Sequence, residues 1–217
     1  MIFLLIITLV NPWIWKIAGS NLILFFLLIL TTLFLYLSIL RKRYYYLFFF
    51  LFIIIILFQW KTTAFQSLIL LDNDEQRIQK LRLEFYKPSL HYVRVIFHRL
   101  NLNDFLEGDF TTASSRIQRN FFETIDPNVY FFGGHPRERV WANDFEKFTF
   151  IFVIPFLTGA YSLALEGKRL IYLNLLISVV LLSIIGHKNP LGPFILFPFF
   201  IVTISYGLKI LIRKIHE

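Results

Sequence analysis

The chain has 217 residues, 57% of them hydrophobic and 19% aromatic, with a formal charge of +8 and no cysteine. The missing cysteines exclude disulfides, thiolate catalysis and cysteine-ligated zinc. The charge does not indicate nucleic acid. Residues 61–147 hold twelve basic and twelve acidic side chains, and the excess sits in short clusters at the ends of apolar blocks rather than on a polar face.

The apolar residues come in long blocks, which argues for membrane spans over a water-facing core. Six segments are read: Ile2–Ile17, Leu22–Leu40, Tyr44–Trp60, Phe148–Leu165, Leu170–Gly186 and Pro190–Leu208. Each can cross a hydrocarbon core of roughly 30 Å once its flanking aromatics count as interfacial residues. Asn11-Pro12 interrupts the first, so a re-entrant or interfacial helix is its alternative. Trp13, Trp15, Tyr44 to Tyr46 and Trp60 are expected near the interfaces. The polar residues inside the spans are mild (Thr31, Thr32, Asn174, Ser178, Ser183, Thr203, Ser205). Asn174 and Ser178, four apart, share a helix face and are expected to bond a neighbouring helix. Proton and ion pathways usually need buried ionisable groups, which weakens the case for a transporter. Pro155, Pro193 and Pro198 are expected to kink the fourth and sixth spans.

Basic clusters set an orientation. With Arg41 to Arg43 in the cytoplasm, the third span carries the chain outward and 61–147 becomes extracytoplasmic. Lys168, Arg169, Lys209, Arg213 and Lys214 then fall inside, with both termini. The expected fold class is an all-α integral membrane protein of about six transmembrane helices at a plasma (inner) membrane. Its parts are an N-terminal three-span region (1–60), an extracytoplasmic amphipathic helical segment (61–147) and a C-terminal three-span region (148–217).

The long segment is too large for a simple connection. Asp72–Tyr86 opens with acids and cap formers and then spaces Ile78, Leu81 and Phe85 as a helix does. A second helix follows Pro88, with Leu90, Val93, Phe97 and Leu100 on one stripe. Arg116–Ile125 predicts a third, with Ile117, Phe121 and Ile125 in register, ended by Asp126-Pro127-Asn128. These short helices are expected on the outer leaflet and the span tops.

Candidate chemistry lies in two places. Asp72, Asp74 and Glu75 form an acidic knot. It reads as a metal site or general base, or more plainly as helix-start acids favoured by the macrodipole. The second place is "YFFGGHPRERVWANDFEKF" (Tyr130 to Phe148). Gly133-Gly134 can turn amides toward an anion, and His135, Arg137 and Arg139 could hold a phosphate with guanidinium forks. The alternative is local pairing of the arginines with Glu138, Asp144 and Glu146. His135 is also a weak acid/base candidate. His91 and His98 share a helix face without a visible third ligand, so no metal site and no cofactor is expected.

From Phe121 to Leu208 the sequence resembles the second half of bacterial lipid-carrier-dependent glycosyltransferases of GT-C fold. The resemblance rests on "DPNVYFF", Pro155-Phe156 and "GHKNP". It implies a polyprenyl-phosphate-binding outer surface. The catalytic Asp usual in that family's first outer loop has no counterpart in "KIAGSN". Taken whole, the chain is similar to small bacterial multi-pass membrane proteins with a "YFFxxHPRER…FEKFPF"-like stretch, a likeness that implies no activity. The expected function is non-catalytic: an envelope or membrane-complex component whose outer segment docks a protein or an anionic lipid head group. A reduced GT-C-like transferase, or its partner subunit, is the alternative, and a small transporter the weaker one. Membrane lipid and a membrane protein are the expected partners, with no nucleic acid.

Overall fold

The computed structural model describes residues 1–63, 77, 109–132, 147–186 and 189–216, and every regular element among them is helical. The α-helices are α1 (Ile2–Val10), α2 (Pro12–Ser20), α3 (Leu22–Leu40), α4 (Tyr45–Thr62), α5 (Asp109–Ile125), α6 (Asn128–Phe131), α7 (Val153–Leu165), α8 (Arg169–Ile185) and α9 (Phe197–His216). Short 3-10 turns lead into α4, α7 and α9, at Lys42–Tyr44, Phe150–Phe152 and Phe194–Leu196.

Three helical segments are long and apolar enough to cross a membrane: Leu22–Leu40, Tyr45–Thr62 and Phe194–Lys214. Two bent pairs raise the number to five if each pair is one span. The first pair is α1 and α2, which meet at 66°. Asn11 and Pro12 cause that break. Pro12 restricts Asn11 to an extended conformation, at φ −73°, ψ 121°. The Asn11 amide closes α1 on the Ile7 carbonyl, and its Oδ1 accepts from Trp13 N at 2.7 Å to open α2. Asn21 repeats the device between α2 and α3, with Leu24 N donating to its Oδ1 at 3.0 Å. The first predicted span is therefore two nine-residue pieces, each roughly 14 Å long, rather than one straight helix. The second pair is Phe150–Leu165 and α8, between which the chain turns by 118°.

The expected proline kinks take another form. Pro155 is the third residue of α7, Pro198 the second of α9, and Pro193 precedes the 3-10 turn. A first-turn proline lacks only an amide that has no intrahelical acceptor, so these residues start helices instead of bending them.

The core is built on α9. Phe197, Ile201, Val202, Thr203 and Ile204 are buried, the pattern of a helix enclosed on all sides. α1, α3 and α7 surround it. The α7–α9 contact is the closest because both helices present glycine. A Cβ on Gly159 would collide with the Thr203 carbonyl and lie 2.9 Å from Gly207 N. A Cβ on Gly207 would collide with the Pro155 carbonyl and lie 2.7 Å from Gly159 N. Small residues let membrane helices approach until their backbones touch. Aromatic rings fill the wider end of the crossing: Phe131, Phe148, Phe156 and Phe200 have centroids 5.2–5.9 Å apart. Outward faces are apolar too, with Ile23, Phe26, Phe50, Ile53, Leu57, Ile154, Leu157, Leu176 and Val180 exposed. A surface so apolar suits lipid and not water.

The bundle has two unlike ends. At one, the Tyr206 hydroxyl donates to Glu166, whose other oxygen pairs with Lys168 at 3.7 Å. Arg169 and Tyr45, at the starts of α8 and α4, meet there as well. At the other end lie Thr63, Lys147, Trp13 and the α8–α9 connection.

Candidate functional site

The residues singled out for chemistry, Asp72, Asp74, Glu75, His135, Arg137 and Arg139, lie outside the described residues, as do His91 and His98. The described chain fixes the points from which those stretches leave and to which they return.

The first anchor is the end of α4. Gln59 is fully buried. It donates to Thr63 Oγ1 at 3.0 Å and accepts from Ile195 N at 3.2 Å. Asn189 donates to Thr62 Oγ1 at 2.8 Å, while its own Oδ1 accepts from Leu191 N at 2.9 Å. These bonds satisfy backbone and side-chain groups at the head of a 3-10 turn that apolar packing alone would leave unmade. They also tie the start of the long segment to the α8–α9 connection.

The second anchor is α5. The sequence placed Ile117, Phe121 and Ile125 on one stripe, and the helix does carry them together, but they point outward. Ile117, Phe121, Phe122 and Ile125 are exposed, whereas Arg116, Asn120 and Thr124, also spaced four apart, are buried. The polar stripe packs inward because α8 ends beside it. Gly186, at φ 80°, stops α8 and leaves its last carbonyls without helical amides. Asn120 Nδ2 donates to one of them, Ser183 O, at 3.2 Å. Tyr130 does the same for α5, donating from its hydroxyl to Thr124 O at 2.6 Å. Burial first, and the Asp126 charge second, push the Tyr130 phenol well above its ordinary pKa, so it stays a neutral donor.

The third anchor brackets the stretch that carries His135, Arg137 and Arg139. Phe148 N donates to Tyr130 O at 2.8 Å, so the stretch 133–146 departs and returns at adjoining points. Beneath that junction lies Lys147, with 3% of its surface exposed. Its Nζ donates to Val129 O at 2.9 Å and sits 5.9 Å from the Tyr130 ring centroid. A carbonyl and an aromatic face offset part of the cost of taking an ammonium from water. Gly192 makes room for the lysine stem: at φ 75° it favours glycine, and a Cβ there would lie 2.8 Å from Lys147 Cε. Trp13 completes the enclosure, donating from Nε1 to Leu191 O at 2.7 Å and packing edge-on against Phe148 and Phe197.

One sequence reading changes here, and one residue was missed. Trp13, expected at a lipid interface, is wholly buried. Lys147, not singled out in the sequence, is part of the interior. The flanking aromatics in "DFEKFTF" are the one feature that could have marked it. In the spans, Ser178 donates to Asn174 O at 2.8 Å and reaches Ile195 O at 3.5 Å, while the Asn174 amide is buried without a partner among the described residues. Among the described residues no three of His, Asp and Glu gather as metal ligands. No family model, no curated protein and no solved structure matches the chain.

Proposed function

We propose that this is a six-span membrane protein whose loop 133–146 docks an anionic lipid head group through His135, Arg137 and Arg139. In that reading the α1–α2 pair is one bent span, and Phe150–Leu165 and α8 are two separate ones. The basic end of the bundle is cytoplasmic, and the loop end faces the outer leaflet of the plasma membrane. The observation that carries it is the Tyr130–Phe148 closure above a buried Lys147. A stretch held at both ends loses less entropy when it grips a ligand than a free one. Polyprenyl phosphate is the carrier class that would present such a group at the outer surface.

The chain has no cysteine, so Gln118→Cys provides a single reporter of sidedness. Labelling by an impermeant maleimide in intact cells supports the orientation, and labelling only after lysis overturns it. Binding is tested by reconstituting the protein in vesicles with and without a polyprenyl phosphate. Arg137→Ala with Arg139→Ala should abolish retention of that lipid while leaving insertion intact. Loss of a co-purifying protein instead would replace lipid by a protein partner. Sugar transfer lost in Asp72→Asn or Asp74→Asn would replace docking by the transferase reading.

A further inference from the structure

At the basic end, α4 and α8 separate into a groove of about 490 Å³ that opens sideways. That volume lies within the roughly 300–1,000 Å³ range of small-molecule sites. Its walls are graded. Tyr45 and Arg169 stand at the mouth, each within the first residue of its helix. Phe49, Leu173 and Leu176 continue one and two turns deeper, and Leu173 and Leu176 are exposed. From Arg169 to Leu176 the wall descends about 10 Å, from a cationic rim to a purely apolar floor.

We infer that this groove holds one acyl chain of an anionic phospholipid, with its phosphate on the Arg169 guanidinium. Charge complementarity selects that occupant. Two helix starts converge on the mouth, and neither carries an acid in its first turn, so both positive dipole ends face it uncompensated. Arg43 and Lys168 flank the two walls in sequence. The nearby acid, Glu166, is engaged by Lys168 and the Tyr206 hydroxyl. Arg169 is exposed and makes no ion pair among the described residues, and the Tyr45 hydroxyl makes no hydrogen bond among them. Tyr172, by contrast, has its hydroxyl committed to Ala160 O at 2.5 Å. A guanidinium fork and a phenol are thus available to a phosphate, and the leucine stripe below is available to its chain. An uncharged apolar helix would leave the cationic rim unanswered, and a zwitterionic lipid would bring its own ammonium against it.

The test is native mass spectrometry of the full chain, released from detergent and titrated with dioleoyl phosphatidylglycerol or dioleoyl phosphatidylcholine. The first lipid should remain as a single adduct at least about tenfold more often than the second, because both carry a phosphate but the choline ammonium of the second cancels its charge and is repelled by the cationic rim. Arg169→Gln, at an exposed position, should remove that preference without affecting folding. Leu173→Trp should fill the groove and remove the adduct altogether. Glycerol phosphate in excess should not displace the lipid, because it cannot occupy the apolar floor. In an Arg137→Ala, Arg139→Ala background, which removes any lipid held by 133–146, the groove adduct and its loss in Arg169→Gln and Leu173→Trp should persist, which keeps this site separate from that stretch. Equal retention of the two lipids, or an adduct that survives both Arg169→Gln and Leu173→Trp, overturns the inference.

Discussion

Replacing Gly159 by alanine tests the α7–α9 crossing directly. The added methyl would meet the Thr203 carbonyl and stand 2.9 Å from Gly207 N. Ordinary carbon contacts lie at about 3.5–4.0 Å, so the two backbones must part by roughly 1.5–2 Å along the line to the Thr203 carbonyl. No flexible side chain can yield, since the atoms met are main chain on both helices. Overpacking costs about 1–3 kcal/mol where neighbours can shift, and this site falls at the upper end of that range. For a chain of this size, about 3 kcal/mol lowers Tm by roughly 6–12 °C. Gly207→Ala should behave alike, because its methyl meets the Pro155 carbonyl and stands 2.7 Å from Gly159 N. Gly19→Ala is the control: nothing lies within 4 Å of its added Cβ, and alanine favours a helix by about 1 kcal/mol. The assay is thermal loss of the monodisperse peak in size-exclusion chromatography, in one detergent, for all three variants. If Gly159→Ala and Gly207→Ala melt with the parent while Gly19→Ala does too, backbone contact between these helices is not what holds them.

Three further outcomes follow from the anchors. Asn120→Ala should free α5 from the Ser183 carbonyl at the end of α8, cost about 1 kcal/mol, and raise hydrogen exchange across 113–125 ahead of the rest of the bundle. Lys147→Ala should destabilise more than Lys147→Met, because both remove the buried charge but only methionine keeps the stem packed beside Gly192; the comparison is read as detergent melting temperatures. Tyr130→Phe removes a bond to Thr124 O worth about 1 kcal/mol. It should also leave the phenolate absorbance of the folded protein below about pH 12 unchanged, because the Tyr130 pKa is raised. The sign follows: the unfolded phenol ionises around its ordinary value of 10.0 while the folded one does not. Stability at this position is therefore full below pH 10 and falls as the pH rises above it, a slope that Tyr130→Phe lacks.

Much of the helical outline is legible in the sequence. Leu22–Leu40 is both the predicted block and the helix, and Tyr44–Trp60 and Leu170–Gly186 differ from α4 and α8 by one or two residues. The reason is that a long apolar run has few alternatives to a helix. The orientation of faces is less legible. Lipid and protein interior are about equally apolar, so a stripe of Ile117, Phe121 and Ile125 reads the same whether it points to a core or to acyl chains. It points outward because Asn120 is drawn to the open carbonyls of α8, a partner 63 residues away. Trp13 was misplaced, and the burial of Lys147 went unforeseen, for a similar cause: their settings depend on Leu191, Gly192 and Val129, which no local spacing brings near. The Asn11-Pro12 break was visible because proline chemistry acts on its immediate neighbour.

The bond between Asn120 and Ser183 has a bearing on biosynthesis. The ribosome completes Asn120 well before Ser183, and 63 residues at about 5–20 residues per second take roughly 3–13 s. Throughout that interval the polar side of α5 has no helix end to cap, while its phenylalanines already favour the bilayer surface. The nascent segment is thus held at the membrane as a waiting piece, to be locked in only when the penultimate hydrophobic stretch arrives.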